Sequence, residues 1–311
     1  MVRVGINLHQ GGLSYGFIRN MTQLSDRLGF DSLWIFDHIM AFARSPTRED
    51  ILECFVTLSA LASDTRKIRL GTLVLNNLWR HPALVAKMTA SLDVISEGRL
   101  ELGIGLGGPS TPPELLAYGL SYPKRRERIK RLEESMIILK AMWTQDETTF
   151  KGDYYAVKGA INNPKPIQKP HPPIWVGGEA DDILILASKY ADGWNCRSLT
   201  YDVLKEKMIK LDNNCLQAGR KPESVKRSWS GNILIAKNHE ELQHKLANDS
   251  WKKGYLARGL GPASVVGIPE ECVSQLQSYA DLGINLFMLN FVSTNADTLT
   301  LFADRALKNL A

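Results

Sequence analysis

The chain has 311 residues, of which 44% are hydrophobic and 23% are charged, and its formal net charge is +5. This composition is typical of a globular protein and excludes an intrinsically disordered chain, which has too few apolar residues to form a core. The first ten residues, MVRVGINLHQ, lack the apolar stretch of a signal peptide. No apolar run approaches the length of about 20 residues that spans a membrane, so we expect a cytoplasmic protein without membrane contacts.

The basic residues are densest in KRRERIKR, residues 124–131, which we interpret as the solvated face of a helix. Nucleic-acid binding would require a broader basic surface or a recognisable module, and the sequence has neither. An anionic substrate or cofactor is a further partner that such a cluster would attract. Cys54, Cys196, Cys215 and Cys272 show no CxxC spacing, so we expect reduced, buried thiols rather than disulfides or metal ligands.

Short apolar runs alternate with segments of helical periodicity along the chain. The predicted strands are residues 2–8, 33–36, 67–75, 98–105, 172–178, 192–196, 225–236 and 285–290. The predicted helices are residues 17–28, 51–63, 82–95, 124–143, 181–190, 201–218, 239–250, 269–282 and 294–309. Strands that alternate with helices in this way pair in parallel, through right-handed crossovers.

This alternation of strands and helices predicts an α/β fold, a (β/α)8 TIM barrel, as a single domain over residues 1–311. A doubly wound open sheet is the alternative. Two insertions interrupt the alternation, near residues 144–173 and 254–267, and both are rich in glycine or proline. The first insertion is expected to contain a short hairpin around residues 154–157.

The C-terminal ends of the strands carry the active site in barrels of this kind. Asp37 and His38 directly follow the apolar strand LWIF, residues 33–36, which would deliver a carboxylate and an imidazole to the same mouth. The structural alternative is that Asp37 caps the following loop and that His38 is a half-buried histidine without a catalytic role. Asn7, near the end of the first strand, and His9, just after it, are further candidates.

Two glycine-rich segments follow other predicted strands. GIGLGGP, residues 103–109, would allow a flat or anionic ligand to approach the backbone, or would simply form a tight turn. WVGGEADD, residues 175–182, joins a strand to a helix that begins near Ala180, where free N–H groups would bind a phosphate. Asp181 and Asp182 are the structural alternative, because acidic residues in a first turn themselves complement the helix dipole.

The metal-binding motif HExxH and the nucleophile motif GxSxG are absent from the sequence. We therefore expect a bound organic cofactor to supply the chemistry. Three blocks of the sequence are recognisable, at residues 29–38 (GFDSLWIFDH), 67–107 and 162–195. Together they resemble the luciferase-like monooxygenase superfamily, and most closely its branch that uses the deazaflavin coenzyme F-420.

This resemblance implies a (β/α)8 barrel with insertions, often a homodimer, that holds a flavin or deazaflavin across its mouth. By the resemblance, Asp37 and His38 contact or border the ring of the cofactor. A bulge in the third strand near Leu73 and Val74, with Asn76 beyond it, would support the ring. Some members have a non-proline cis peptide at this bulge.

The other predicted cofactor contacts lie mainly at the ends of later strands. The resemblance implies Leu106, Gly107 and Gly108 after the fourth strand, and Gly177, Gly178 and Glu179 in a phosphate loop after the fifth. Asn7, at the end of the first strand, and Trp194 complete the predicted set. Trp194 would form part of the pocket wall, with a plain core position as the structural alternative.

The chain departs from the family pattern in GPSTPPE, residues 108–114. Some deazaflavin enzymes have a catalytic glutamate at this mouth, but Glu114 comes a few residues too late to match it. The predicted catalytic residues are therefore His38, with Asp37 biasing its protonation, and His9.

The leading hypothesis is an oxidoreductase that transfers hydride between coenzyme F-420 and a small organic substrate. The basic cluster at residues 124–131, if it lies near the mouth, would suit the acidic oligoglutamate tail of this coenzyme. One alternative is a two-component monooxygenase that uses O2 and FMN reduced by a partner flavin reductase. Another is a non-enzymatic flavin-binding barrel.

Overall fold

The computed structural model describes residues 2–40, 49–108, 110–248 and 260–310. The strands are β1 (Arg3–Asn7), β2 (Ser32–Ile35), β3 (Arg69–Thr72), β4 (Leu75–Asn76), β5 (Leu100–Gly105), β6 (Thr148–Lys151), β7 (Ala156–Ala160), β8 (Ile174–Gly177), β9 (Gly193–Arg197), β10 (Lys226–Ile235), β11 (Val265–Gly267) and β12 (Leu286–Phe291). The α-helices are α1 (Tyr15–Leu28), α2 (Cys54–Asp64), α3 (Pro82–Ile95), α4 (Thr111–Ala117), α5 (Arg125–Thr144), α6 (Asp181–Tyr190), α7 (Tyr201–Gln217), α8 (His239–Ala247), α9 (Pro269–Asp281) and α10 (Ala296–Arg305).

The strands form a closed parallel barrel. Neighbouring strands follow the order β1, β2, β3, β5, β8, β9, β10 and β12, and β12 pairs with β1 to close the barrel. The predicted (β/α)8 fold is therefore confirmed. β4 follows β3 in the same place in the barrel and pairs with β5. A bulge at Leu73 and Val74 separates the two strands, and the peptide bond between these residues is cis. The bulge lies where the family resemblance implies it.

Two indole rings fill part of the barrel interior. Trp34 on β2 and Trp175 on β8 meet edge to face, with ring centroids 6.3 Å apart. Neighbouring strands have glycines there: a Cβ on Gly71 would lie 2.3 Å from the Trp34 ring, and one on Gly193 would lie 2.2 Å from the Trp175 ring. A side chain larger than glycine at either position would therefore clash with the indole ring.

The Glu101 carboxylate lies near the N-terminal ends of the strands and is only 1% exposed. It accepts a hydrogen bond from the Trp175 indole N–H at 2.5 Å and pairs with Arg3 and Arg69, each at 2.5 Å. A buried carboxylate is tolerated only when it is paired and hydrogen-bonded in this way. This network ties β1, β3, β5 and β8 together at the end of the barrel opposite the predicted site.

Several boundaries differ from the sequence prediction. α2 begins at Cys54 rather than at residue 51, because Glu53 precedes it as a cap and accepts the N–H of Val56 at 2.7 Å. α4 forms in a segment outside the predicted helices. The predicted helix over residues 239–250 ends at Ala247, and residues 249–259 lie outside the described part of the chain. The predicted insertion near residues 254–267 ends in β11, which pairs with β10.

The insertion at residues 144–173 contains the predicted hairpin, formed by the antiparallel strands β6 and β7. Glu134 of α5 holds the turn of this hairpin. Its carboxylate accepts the backbone N–H groups of Asp153, Tyr154 and Tyr155 over distances from 2.7 to 3.3 Å. The hairpin is thus attached to the outside of the barrel through α5.

Two other expectations concern the whole chain. The four cysteines are buried free thiols, as predicted. None of the described helices is long and apolar enough to cross a membrane.

Candidate active site

A cavity of about 650 Å³ opens at the C-terminal ends of the strands. This volume is in the range of small-molecule and cofactor sites. The predicted site residues that line it are Asn7, His9, Asp37, His38, Leu73, Val74, Asn76, Leu106, Gly107, Gly108, Gly177, Gly178 and Glu179. Further lining residues, outside the predicted set, include Tyr122, Arg125, Arg128, Arg197, Asn232 and Asn290.

The imidazole of His38 is paired with Glu114, a residue outside the predicted site. Nδ1 of His38 lies 2.5 Å from Oε1 of Glu114, and the backbone N–H of Ile39 donates to Oε2 at 3.1 Å. Glu114 is 3% exposed, so its carboxylate is shielded from water. The His38 ring also contacts Phe36, with ring centroids 5.3 Å apart. These contacts orient the imidazole at the cavity wall.

Helix α4 brings Glu114 to His38. Glu114 is too far along the chain if residues 108–114 form an extended loop, but a helix that begins at Thr111 keeps it beside the mouth. A signal for this helix was present, because Pro112 and Pro113 occupy its first turn, where proline is favoured. Its distance along the chain therefore does not keep Glu114 from contact with His38, whereas its mismatch with the family's catalytic glutamate stays a prediction.

Asp37 pairs with Arg80 rather than with His38. Its Oδ1 and Oδ2 lie 3.0 and 2.9 Å from the two terminal nitrogens of the guanidinium, and Oδ2 also accepts the backbone N–H of Asn76 at 3.0 Å. Burial raises the pKa of Asp37 to about 6, although Arg80 and Asn76 oppose the shift. The predicted pairing of Asp37 with His38 is corrected, since Glu114 is the carboxylate that contacts the imidazole.

His9 lies against Phe36, with ring centroids 5.5 Å apart, and its Nε2 is 3.4 Å from the amide nitrogen of Asn7. Burial, with smaller contributions from His38 and Arg197, lowers the pKa of His9 to about 3. His9 is therefore neutral at physiological pH, where it has no imidazolium proton to donate.

The predicted phosphate loop joins β8 to α6. Gly178 has a φ of 130°, a backbone conformation that favours glycine. Trp194 does not line the cavity: it is fully buried, and its indole N–H donates to the Gly178 carbonyl at 2.7 Å. The predicted place of Trp194 in the pocket wall is thus corrected to a support behind the loop. Glu179 accepts the backbone N–H of Arg197 at 2.9 Å and so ties the loop to β9.

The basic cluster at residues 124–131 begins beside the phosphate loop. Arg125, in the first turn of α5, pairs with Asp182, in the first turn of α6, at 2.6 Å. Arg125 and Arg128 both line the cavity. The N-terminal end of the cluster is therefore at the mouth.

Arg128 is a buried cation, 8% exposed, that forms no ion pair within the described residues. It donates to the carbonyls of Leu106 and Gly107 at 3.2 and 3.0 Å and stacks on Tyr122, 4.2 Å from the ring centroid. Its Nε is buried and has no hydrogen-bond partner in that part of the chain. Because a buried charge is costly unless it is paired, this position suits an anionic group of a ligand.

A family model described as luciferase-like monooxygenase matches residues 1–286 of the chain. The chain belongs to this family. This luciferase-like chain is 28% identical over 288 residues to an F-420-dependent glucose-6-phosphate dehydrogenase of Microbacterium testaceum (strain StLB037), covering 84% of this chain and 82% of the relative. It is also 28% identical over 229 residues to an FMNH2-dependent dimethylsulfone monooxygenase of Pseudomonas putida, covering 74% of this chain and 61% of the relative.

A solved structure with the same fold is an F-420-dependent secondary alcohol dehydrogenase in complex with an F-420–acetone adduct. Its TM-score is 0.84 at 19% identity, and the match covers 100% of this luciferase-like chain and 99% of the other. The curated relatives are a dehydrogenase and a monooxygenase, so the predicted oxidoreductase class is confirmed. Their names include both predicted cofactors, coenzyme F-420 and, as the alternative, FMN in its reduced form.

We expect the substitution His9→Gln to make the protein less sensitive to acid. The pKa of about 3 in the folded state lies below the ordinary value of 6.5, so the unfolded state takes up the proton first and stability falls as the pH drops below that value. The variant should therefore lose about 1–2 kcal/mol less unfolding free energy than wild type between pH 7 and pH 5.

Urea denaturation at the two pH values measures this difference. His239→Gln, at the exposed start of α8, is the matched control and should behave like wild type. Equal losses in the His9 variant and in wild type would contradict the neutral state of His9.

Proposed function

We propose that this protein transfers hydride between coenzyme F-420 and a small organic substrate in the cavity. The His38–Glu114 pair carries the proposal, because an imidazole held by a buried carboxylate beside a ligand-sized cavity is equipped to donate or accept a proton. The F-420-dependent relative, which aligns with 84% of the chain, supports the choice of cofactor.

The residues at the mouth fit a cofactor that carries a phosphate group. Arg128 is buried and has no acidic partner among the described residues, and Gly177 and Gly178 lead into the start of α6. A guanidinium and the N–H groups at a helix start would together hold a phosphate. The bulge at Leu73 and Val74 lines the same cavity and would support the cofactor ring.

When bound, coenzyme F-420 supplies a ring carbon that gives or takes a hydride. The side chains of the protein handle the accompanying proton. Glu114 engages Nδ1 of His38, so His38 would exchange a proton with the substrate through Nε2. Asp37 is held by Arg80 and has no direct part in this exchange.

An FMN-dependent two-component monooxygenase, supplied by a partner reductase, is the alternative function. FMN also carries a phosphate, and an FMNH2-dependent monooxygenase is among the curated relatives. The charge at the mouth favours F-420. Arg125 lines the cavity, and Lys124 and Arg126 are exposed beside it, so an acidic tail that leaves the cavity here would meet three cations.

We expect the purified protein to bind F-420 more tightly than FMN in a tryptophan-fluorescence titration. Arg128→Met should weaken F-420 binding by about 10- to 100-fold, because the phosphate loses a charged hydrogen-bond donor in a buried site. Arg126→Met is the matched control, since Arg126 is exposed on the same turn of α5. It should change the affinity by about threefold or less, as a solvated charge near the tail.

Tighter binding of FMN than of F-420 would overturn the proposed cofactor and support the monooxygenase. Binding of neither would support a barrel without flavin chemistry. Equal losses in the Arg128 and Arg126 variants would remove Arg128 from the phosphate site.

Glu114→Gln should lower kcat by about 100-fold or more, because the imidazole loses the carboxylate that holds its proton in place. The affinity for F-420 should stay close to that of wild type, since the amide keeps the shape of the carboxylate. Stopped-flow spectroscopy of F-420 reduction, with a substrate found by screening, measures both quantities. Glu223→Gln, on the exposed surface, is the control, and a wild-type kcat for the Glu114 variant would exclude the pair from catalysis.

We further propose that the protein is a homodimer that forms through α2 and α3. These helices pack side by side and expose Val56, Leu84 and Ile95, which are 71%, 53% and 50% exposed. Exposed apolar side chains on adjoining elements are typical of an interface.

Sedimentation velocity should give twice the chain mass of 34.7 kDa. Leu84→Glu should yield a folded monomer, because a charge would be buried in the interface. Ile209→Glu, on the outer face of α7, is the control and should remain dimeric. A monomeric wild type, or a dimeric Leu84 variant, would contradict this interface.

A further inference from the structure

Arg80 lies at the centre of a partly buried ion network behind the cavity wall. Its terminal nitrogens pair with both oxygens of Asp37, and Nη2 also lies 2.5 Å from Oε1 of Glu53. The guanidinium stands over Phe55, 5.3 Å from the ring centroid. The Arg80 side chain is 13% exposed and that of Asp37 is 1% exposed. A bidentate pair of this kind requires a guanidinium, since an ammonium group lacks the two parallel donors.

The carboxylate of Asp37 joins two parts of the candidate active site. Asp37 precedes His38 in the chain, and its Oδ2 accepts the backbone N–H of Asn76, the last residue of β4. The Asp37 carbonyl also accepts the indole N–H of Trp79 at 3.2 Å. Asn76 closely follows the bulge at Leu73 and Val74. Asp37 therefore connects the end of β2, which carries His38, to the segment that carries the bulge.

Glu53 contacts Arg80 from the outer, more exposed side of this network. Its Oε2 accepts the N–H of Val56 and so caps α2, while its Oε1 reaches Arg80. Arg80 stands just before Pro82, the first residue of α3. The pair of Arg80 with Asp37 thus holds the end of β2 beside the start of α3, and Glu53 adds an outer contact.

We propose that Arg80 is a positioning residue for the cofactor site: its bidentate pair with Asp37 sets the distance between the His38 imidazole and the bulge at Leu73 and Val74. The inference rests on the proposed function for the identity of the ligand, whereas the contacts of Arg80 involve residues of the protein alone. Without the guanidinium, Asp37 would be a buried charge without a cationic partner among the described residues, held only by the backbone N–H of Asn76. Its carboxylate would protonate or turn, and the ends of β2 and β4 would lose their common anchor.

Two substitutions test this role. Arg80→Lys keeps the charge but cannot form the bidentate pair, and Arg80→Met removes both. Glu53→Gln is the matched control, because it weakens the outer contact of Arg80 and leaves the pair with Asp37 intact. For each variant we would record the far-UV circular dichroism, the NMR signals of the His38 ring in the cofactor-free protein, and the dissociation constant for F-420.

We expect shifted His38 signals and an F-420 dissociation constant raised by about tenfold in folded Arg80→Lys, and a larger rise in Arg80→Met. Glu53→Gln should keep the wild-type His38 signals and an affinity within about twofold of wild type. Unchanged signals and affinity in Arg80→Lys would overturn the inference. Loss of folding in both Arg80 variants, or an equal loss of affinity in Glu53→Gln, would also overturn it, in favour of a purely structural network.

The same measurements distinguish a failure of the proposed function from a failure of this inference. A wild-type protein that does not bind F-420 would overturn that function. The His38 signals of the cofactor-free variants would still report whether Arg80 positions the imidazole.

Discussion

The close approach of two indole rings to glycine backbone is the constraint on which the rest of this barrel depends. Trp34 and Trp175 occupy the interior only because Gly71 and Gly193 have no Cβ. With the buried Glu101 network at the N-terminal ends of the strands, they fill one end of the barrel and leave the other for a ligand. The side chains that follow β1, β2, β4, β5 and β8 therefore share one space, although they are far apart in the chain.

Two carboxylates at this mouth have different environments and, in our proposal, different tasks. Asp37 is nearly inaccessible, and both its oxygens are occupied by Arg80, so it connects strand ends. Glu114 is also buried, but one of its oxygens faces a ring nitrogen of His38 at the cavity wall. The group that each carboxylate contacts, and not the choice of Asp or Glu, therefore determines its role. A carboxylate paired with Arg80 positions strand ends, and one paired with His38 can influence proton transfer.

The strands were predictable because strands of a parallel barrel are covered on both faces and read as short apolar runs, as in residues 33–36. The bulge at Leu73 and Val74 followed from the family resemblance, since nothing in the local sequence requires it. Most predicted site residues line the cavity for a simple reason: a closed barrel brings all strand ends to one place. The residues at the strand ends can therefore be predicted to line the cavity without knowing the direction of their side chains.

Pairings across the mouth were not predictable in the same way. His38 and Glu114 are 76 positions apart, and Asp37 and Arg80 are 43 apart. Each contact depends on the direction of a short segment such as α4, whose only sequence signal is the pair of prolines at its start. Trp194 shows the converse error, because its strand position suggested the pocket wall while its side chain points behind the phosphate loop.

The two halves of the proposed proton-transfer pair belong to different parts of the architecture. His38 follows the barrel strand β2, whereas Glu114 lies on α4, a short helix in the connection between β5 and α5. A graft of that connection from another barrel would exchange the partner of the imidazole and leave the scaffold intact. The same connection carries Gly107, Gly108 and Tyr122, which line the cavity, so such a graft would change the proton-transfer partner and part of the cofactor site together.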